Sequence, residues 1–294
     1  MKPKLVTIVG QRTDILKHQL NHYKDLVSEM HIGIFENFNS EPITEKVLEI
    51  TKDYNVKIFH RKQRKPYSGA EVTKFYNDIK LLHPNDWWIV ADDDEFQVYS
   101  KDIELIIDEC EDKKHKFVAG GFIDRVGRDG KFEKIEEEMN IWERFPIACS
   151  FRNKYSNACS NKITLCKGDV SLGEGQHFVW IDNIEINIKN KIWENKYLYP
   201  KEKNFTQVHH FKWDSTVVNR LHDRLIYCNR YNYFYKDENQ KMYNSIIEMG
   251  NKVDIYQNDL FVQEINSPYI NNSDYYTHYT YWDELSKIIQ TSFA

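Results

Sequence analysis

One stretch, Asp86-Trp87-Trp88-Ile89-Val90-Ala91-Asp92-Asp93-Asp94-Glu95-Phe96, limits what this chain can fold into more than any other. Its apolar run, Trp87 to Ala91, has the length of a buried strand and is too short for an ordinary helix. Trp87 and Trp88 therefore read as core. Four carboxylates follow at once. In extended backbone Asp92 and Asp94 would point to one side and Asp93 to the other. Like charges placed together repel unless positive charge comes between them, and hard divalent cations such as Mg²⁺ and Mn²⁺ take oxygen ligands of this kind. The plain alternative is an acidic turn solvated at a strand end.

The chain before this stretch alternates. Lys4 to Gly10 reads as a buried strand, and Thr13 or Asp14 could cap a helix over Ile15 to Met30, whose apolar residues recur at three and four. His31 to Phe35 reads as a second strand, Pro42 opens a helix through Asp53, and Asn55 to His60 is a third strand. A helix from Gly69 to Leu82 leads into the acidic strand. Repeats of strand and helix with short connections mean a parallel sheet with crossover helices. Ligands of such sheets bind beyond the carboxyl ends of the strands. That rule places Gln11–Arg12, Glu36–Asn37, Arg61–Lys65 and Asp92–Glu95 along one edge. The run Arg61 to Lys65 is either a phosphate-holding or a solvated basic run. No GxGxxG or GxxxxGK[ST] is present, so neither a dinucleotide fingerprint nor a P-loop explains the edge.

The pattern changes after a helix over Asp102 to Lys113. Phe117 to Val126 reads as a strand, and Asp129-Gly130 predicts a hairpin turn behind it. Ile163 to Cys166, His177 to Ile181 and Phe205 to Trp213 read as further strands. From Asp214 the apolar spacing becomes helical, which predicts a boundary near residue 214. Tyr227, Tyr231, Tyr233, Phe234 and Tyr235 could wall a sugar or pack a helical core.

Composition excludes several classes. A net charge of −5 argues against nonspecific nucleic-acid binding, which needs many Lys and Arg contacts to phosphate. Five cysteines without CxxC spacing imply reduced thiols and a cytosolic setting. The first ten residues lack a signal-peptide apolar region, and no run approaches a spanning helix. The expectation is a cytoplasmic protein, with contact at the inner membrane face left open.

The ordered set resembles the GT-A glycosyltransferases, and more narrowly bacterial family-2-type members whose metal motif reads hydrophobic-Asp-x-Asp-Glu-Phe, as in Ala91 to Phe96. Lys162-Ile163-Thr164 with the downstream His177, and the pair His210-Phe211, are similar to later segments of that group. The resemblance covers roughly residues 4 to 230. It departs at Gln11-Arg12-Thr13-Asp14, where Arg-Asn-Glu is often found. It implies an α/β GT-A fold, a Rossmann-like mixed sheet with a helical C-terminal extension. The catalytic domain would be 1–213, with a nucleotide-binding half (1–100) and an acceptor half (101–213), and the extension 214–294. It implies a hexosyltransferase of polysaccharide biosynthesis, carrying sugar from a nucleotide-diphosphate sugar to a glycan or lipid-linked acceptor. Gln11, Arg12, Glu36, Asn37, Asp92, Asp93, Lys162 and His177 would contact the donor. Mn²⁺ or Mg²⁺ would be held by Asp92 and Asp94, with His210 favoured over His209 as a further ligand.

The chemistry agrees with the residues. Moving a sugar off a nucleotide diphosphate builds negative charge on the leaving phosphates, which a metal neutralises. Inverting transfer also needs a base near the acceptor hydroxyl. Asp124 is the first candidate and Glu174 the second, although Asp124 could equally pair with a neighbouring Arg. His177 and the adjacent His209 and His210 could each be ordinary hydrogen-bonded residues. Two rivals share the same carboxylates or fold: a metal-dependent phosphohydrolase or nucleotidyltransferase, and a noncatalytic carbohydrate-binding protein.

Overall fold

The computed structural model describes residues 1–36, 42–62, 68–156, 158–159, 161–186, 195–200, 203, 206–233, 235–257, 260 and 262–265. Asn37, the part of the basic run from Gln63 to Lys65, Phe205, Phe234 and the end of the C-terminal extension fall outside them. The elements in order are β1 (Lys4–Val9), α1 (Leu16–Tyr23), β2 (Glu29–Glu36), α2 (Thr44–Thr51), β3 (Val56–Lys62), α3 (Gly69–Lys80), β4 (Trp87–Val90), β5 (Glu95–Val98), α4 (Ile103–Lys113) and β6 (Phe117–Val126). Then come α5 (Ile141–Arg144), β7 (Ile147–Cys149), α6 (Arg152–Ser156), β8 (Asn161–Lys167), β9 (Ser171–Leu172), β10 (Val179–Ile181), β11 (Ile184–Ile186), β12 (Thr206–His210), α7 (Val217–Tyr231), α8 (Lys236–Glu248) and β13 (Val262–Glu264). They form two compact units, residues 1–121 with 161–208, and residues 122–160 with 209–294.

The first unit is a Rossmann-like mixed α/β unit. Its sheet runs β6-β8-β4-β1-β2-β3. The four strands β4, β1, β2 and β3 are parallel, while β8 is antiparallel to both β4 and β6. The two-residue period of a strand splits the central tryptophans between the sheet's faces. Trp87 and Ile89 join one cluster, with Leu5, Val9, Ile32 and Ile34 against α1, α2 and α4. Trp88 and Val90 join the other, with Val6, Ile8, Phe35 and α3's Phe75, Tyr76 and Ile79. Each Trp buries on the order of 200 Å², worth up to about 5 kcal/mol at 25 cal/mol per Å². Gly33 lets α3 sit close to β2, since a Cβ there would run into Ile8 and lie 2.8 Å from Phe75 Cε1. A small antiparallel sheet, β11-β10-β9, adds Leu172, Val179, Ile181 and Ile186 to that second cluster.

Three local readings are corrected. The first helix stops at Tyr23, and Glu29 and Met30 already belong to β2. A strand, β5, follows the acidic turn directly. Asp129-Gly130 does make a left-handed turn, with φ of 57° and 75°, but it closes no hairpin. Val253 N donates to Gly130 O at 2.9 Å, so the turn docks on the later chain. The next strand antiparallel to β6 is β7, which pairs Ile147 with Val126 and Cys149 with Asp124.

In the second unit, β6's outer half pairs with β7, and β7 with β13. Val126, Ile147, Cys149, Phe151 and Trp213 form its core with Val217 and Leu221 of α7 and Met242 and Ile246 of α8. Asp214 orders the turn before α7: its Oδ1 accepts from Thr216 N at 2.6 Å and its Oδ2 from Arg220 at 2.9 Å. Among the described residues no helix is long and apolar enough to cross a membrane.

Candidate active site

The acidic turn at the end of β4 is gripped from both faces of its sheet. From α1, Gln19 Nε2 donates to Asp92 O at 2.5 Å, and Tyr23 OH donates to Glu95 O at 3.0 Å while accepting from Gln97 N at 2.8 Å. From α3, Tyr76 OH lies 2.9 Å from Asp92 Oδ1 and 3.0 Å from Ala91 O. The turn also closes on itself, with Asp92 N donating to Glu95 Oε2 at 3.2 Å and Glu95 N to Asp92 O at 3.1 Å. Asp92 to Asp94 thus lie in a turn, and the extended alternation that put Asp92 and Asp94 on one side does not apply. A fixed turn instead presents the carboxylates at the carboxyl edge of the parallel strands.

Among the described residues, Lys162 and Arg12 answer this charge. Lys162, on β8, reaches Asp92 Oδ2 and Glu95 Oε1, each at 2.8 Å. Burial works against the ammonium, but Asp92 and Glu95 outweigh it and hold Lys162 above its ordinary range. Glu95 is pushed the other way. Burial, with the charges of Asp92 and Asp94, lifts its carboxyl to about 8 despite the opposing pull of Lys162. Arg12, just past β1 and buried, places NH1 3.8 Å from Asp94 Oδ2 and Nε 3.3 Å from Asp14 Oδ1. The side chain of Asp92 is 40 % exposed and that of Asp94 13 %.

The donor set suits a hard divalent cation. Asp92 and Asp94 offer oxygen ligands only, and a carboxylate keeps lone pairs after accepting one or two hydrogen bonds. Asp93 is partly exposed in the same turn. The other expected donor contacts are distributed along the first unit. Gln11 is exposed. Glu36 is buried and committed to architecture, accepting from Ile43 N at 3.2 Å, Thr44 Oγ1 at 2.9 Å and His60 Nε2 at 3.1 Å. Burial alone would raise its carboxyl, but these bonds hold it below the usual range. Arg61, in the described part of the basic run, pairs with Asp78 at 2.6 Å and lies over Phe75. His177 shares two hydrogen bonds with Asn161, its Nδ1 2.7 Å from Asn161 O. Glu174 is half-buried against Gly69 at the start of α3, and burial raises its carboxyl.

Asp124, His209 and His210 belong to the second unit. Asp124 is fully buried on β6, and its carboxylate accepts from Trp213 Nε1 at 2.6 Å, His210 Nδ1 at 3.2 Å and Arg152 N at 3.0 Å. The neighbouring arginine side chain of the alternative reading lies elsewhere. Arg125 Nε donates to Phe145 O at 2.9 Å, and burial lowers its guanidinium to about 9. His209 is buried with Trp142 edge-on at 5.2 Å.

Gln19, Tyr23, Tyr76 and Gln97 were not legible as site residues. The tyrosines and Gln19 read as ordinary helix positions, and only their distance from the acidic turn in space reveals them. The helical spacing that put Tyr23 on the apolar face of α1 was the one available signal.

No protein-family model matches the sequence, and a search of curated proteins finds no match. Solved structures overlap it weakly. A putative glucose-1-phosphate thymidylyltransferase from Bacillus anthracis has 16 % identity and a TM-score of 0.30, over 56 % of this chain and 71 % of that one. A 4-diphosphocytidyl-2C-methyl-D-erythritol synthase has 11 % identity and a TM-score of 0.31, over 57 % and 77 %. A mannose-6-phosphate isomerase from Helicobacter pylori has 14 % identity and a TM-score of 0.32, over 57 % and 72 %. Likeness at this level assigns no activity.

Proposed function

We propose that this chain is a metal-dependent glycosyltransferase, moving a sugar with inversion from a nucleotide-diphosphate donor to a glycan or lipid-linked acceptor. The observation that carries the reading is the acidic turn fixed at the carboxyl edge of parallel strands, with Lys162 and Arg12 set against it. Asp92 and Asp94 would hold Mn²⁺ or Mg²⁺, which would neutralise charge developing on the leaving diphosphate. Arg12 beside Asp94 is placed to add positive charge for an anionic donor. Lys162 keeps Asp92 and Glu95 from repelling each other and so preserves the turn.

The base is assigned to Glu174 in preference to Asp124. Three donors already engage both oxygens of the Asp124 carboxylate, and it is fully buried. Glu174 is half-buried with its carboxyl raised, nearer the range where a base works at neutral pH. His210 is assigned to orienting and packing around Asp124.

The test is turnover of a panel of nucleotide sugars with and without Mn²⁺, using wild-type protein and Asp94→Asn. Metal-dependent sugar transfer is expected, and Asp94→Asn should lower kcat by about 10²–10³-fold with the circular-dichroism spectrum unchanged. Full activity in that variant sinks the metal role. Pyrophosphate release would make the chain a nucleotidyltransferase, and transfer to water alone a hydrolase. Glycan binding without nucleotide or metal would leave a noncatalytic carbohydrate-binding protein.

A further inference from the structure

A second group of metal-type ligands sits at the other edge of the first unit's sheet, where the parallel strands begin. Glu29 opens β2 in register with Lys4 of β1, and His31 lies two residues on, so both point to the face that α3 covers. His83 is in the connection from α3 to β4. One ligand atom from each of Glu29, His31 and His83 lies within 4.8 Å of the others. We propose that these three residues form a binding site for a borderline divalent cation, Zn²⁺ by preference, that ties the α3–β4 connection to the start of β2.

The backbone that carries the ligands is already fixed. Trp88 Nε1 donates to His83 O at 3.2 Å, and His83 N donates to Lys80 O at 3.0 Å. His31 is fully buried, stacked on Phe59 at 5.5 Å and set edge-on to Trp88 at 4.8 Å, so its ring has little freedom to lose. Its Nε2 meets Glu29 Oε2 at 2.7 Å, while Nδ1 is buried with no hydrogen-bond partner.

The ligand chemistry separates this site from the acidic turn. Two imidazoles and one carboxylate select zinc-like ions, whereas the oxygen-only turn suits Mg²⁺ or Mn²⁺. Tetrahedral Zn²⁺ with bonds near 2.1 Å needs ligand atoms roughly 3.4 Å apart. The Glu29–His31 hydrogen bond, 2.7 Å through Nε2, would open to that spacing on exchanging its proton for the cation, and His83, 39 % exposed, can turn inward. Its exposure leaves room for water as the fourth ligand. Lys57 lies 3.0 Å from Glu29 and would oppose the cation. Its ammonium is half-exposed and can swing away, while Asp86, whose Oδ2 is 3.9 Å from His83 Nδ1, is already paired with Lys4.

The test is calorimetric titration of Zn²⁺ into untagged full-length protein in excess Mg²⁺, with Co²⁺ absorption as an optical check. One tight Zn²⁺ equivalent and tetrahedral Co²⁺ bands are expected. His83→Ala and, separately, Glu29→Gln should each weaken Zn²⁺ by at least about tenfold while circular dichroism stays unchanged. Asp94→Asn should leave the titration as it is. No saturable Zn²⁺ uptake by the folded wild type would overturn the proposal. So would unchanged affinity in both ligand variants, or loss of the equivalent in Asp94→Asn. Each result is independent of sugar transfer.

Discussion

The acidic turn of the first unit and the Asp124 cluster of the second use the same side-chain chemistry toward opposite ends. Asp124 is one carboxylate among three donors, fully buried, and every partner is supplied by its own unit. The turn crowds Asp92, Asp93, Asp94 and Glu95 together against Lys162 and Arg12, with Asp92 partly open to solvent. In the first case donors from the indole, the imidazole and a backbone amide meet both carboxylate oxygens. In the second, four carboxylates stand against Lys162 and Arg12 among the described residues, and burial first, then the charges of Asp92 and Asp94, raises the carboxyl of Glu95. A buried carboxylate met by donors on both oxygens holds a fold together, whereas a cluster of carboxylates near solvent suits the cation proposed for it.

Removing Asp124 should therefore do the larger structural damage. Asp124→Ala leaves the Trp213 indole N–H and the Arg152 amide buried without an acceptor and takes the partner from His210. The loss should be about 3–5 kcal/mol in urea denaturation. Asp94→Asn, which relieves repulsion, should change stability by less than about 1 kcal/mol. If Asp124→Ala costs under about 1 kcal/mol, the distinction between the two regions collapses.

Lys162 is the point where the turn itself becomes architectural. Its side chain and that of Glu95 are nearly fully buried, so Lys162→Met leaves Glu95 facing Asp92 with no cation between. The expected cost is about 3 kcal/mol. Adding Glu95→Gln should recover part of it, giving a coupling energy of about 1–3 kcal/mol in a double-mutant cycle. Strict additivity would mean that the ion pair contributes nothing to holding the turn.

Trp87 to Ala91 could be read as a strand because its residues are apolar on both faces, as a strand covered by helices must be. The strand behind it could not. Glu95 and Gln97 are polar and buried, and what makes them tolerable comes from Lys162, Tyr23 and Val90, two of them far away in sequence. Asp129-Gly130 gave the turn geometry correctly, but the turn is spent on docking against Val253. Periodicity reads what a segment does for itself and misses what a distant partner does for it. Lys162 entered only through resemblance, and the Glu29–His31–His83 group carries no spacing that would draw the eye.

The smallest effect concerns the clamp on the acidic turn. His22 of α1 lies under β5, with Nε2 2.8 Å from Gln97 O and its ring stacked on Phe96 at 5.2 Å. Burial lowers its imidazole from 6.5 to about 4, with the Gln97 carbonyl pulling weakly the other way. The unfolded chain thus takes up a proton near pH 6.5 that the folded chain refuses until about pH 4. This contribution to stability is present in full above pH 6.5 and is lost as the pH falls toward 4. Allowing for the partial exposure of the residue, it amounts to about 2 kcal/mol. Wild type should lose that much more stability than His22→Gln between pH 7 and pH 4.5. Hydrogen exchange should show the loss first in β5, ahead of β7. Parallel acid profiles for the two proteins would mean that His22 is protonated in place and that the clamp on the turn does not depend on its neutrality.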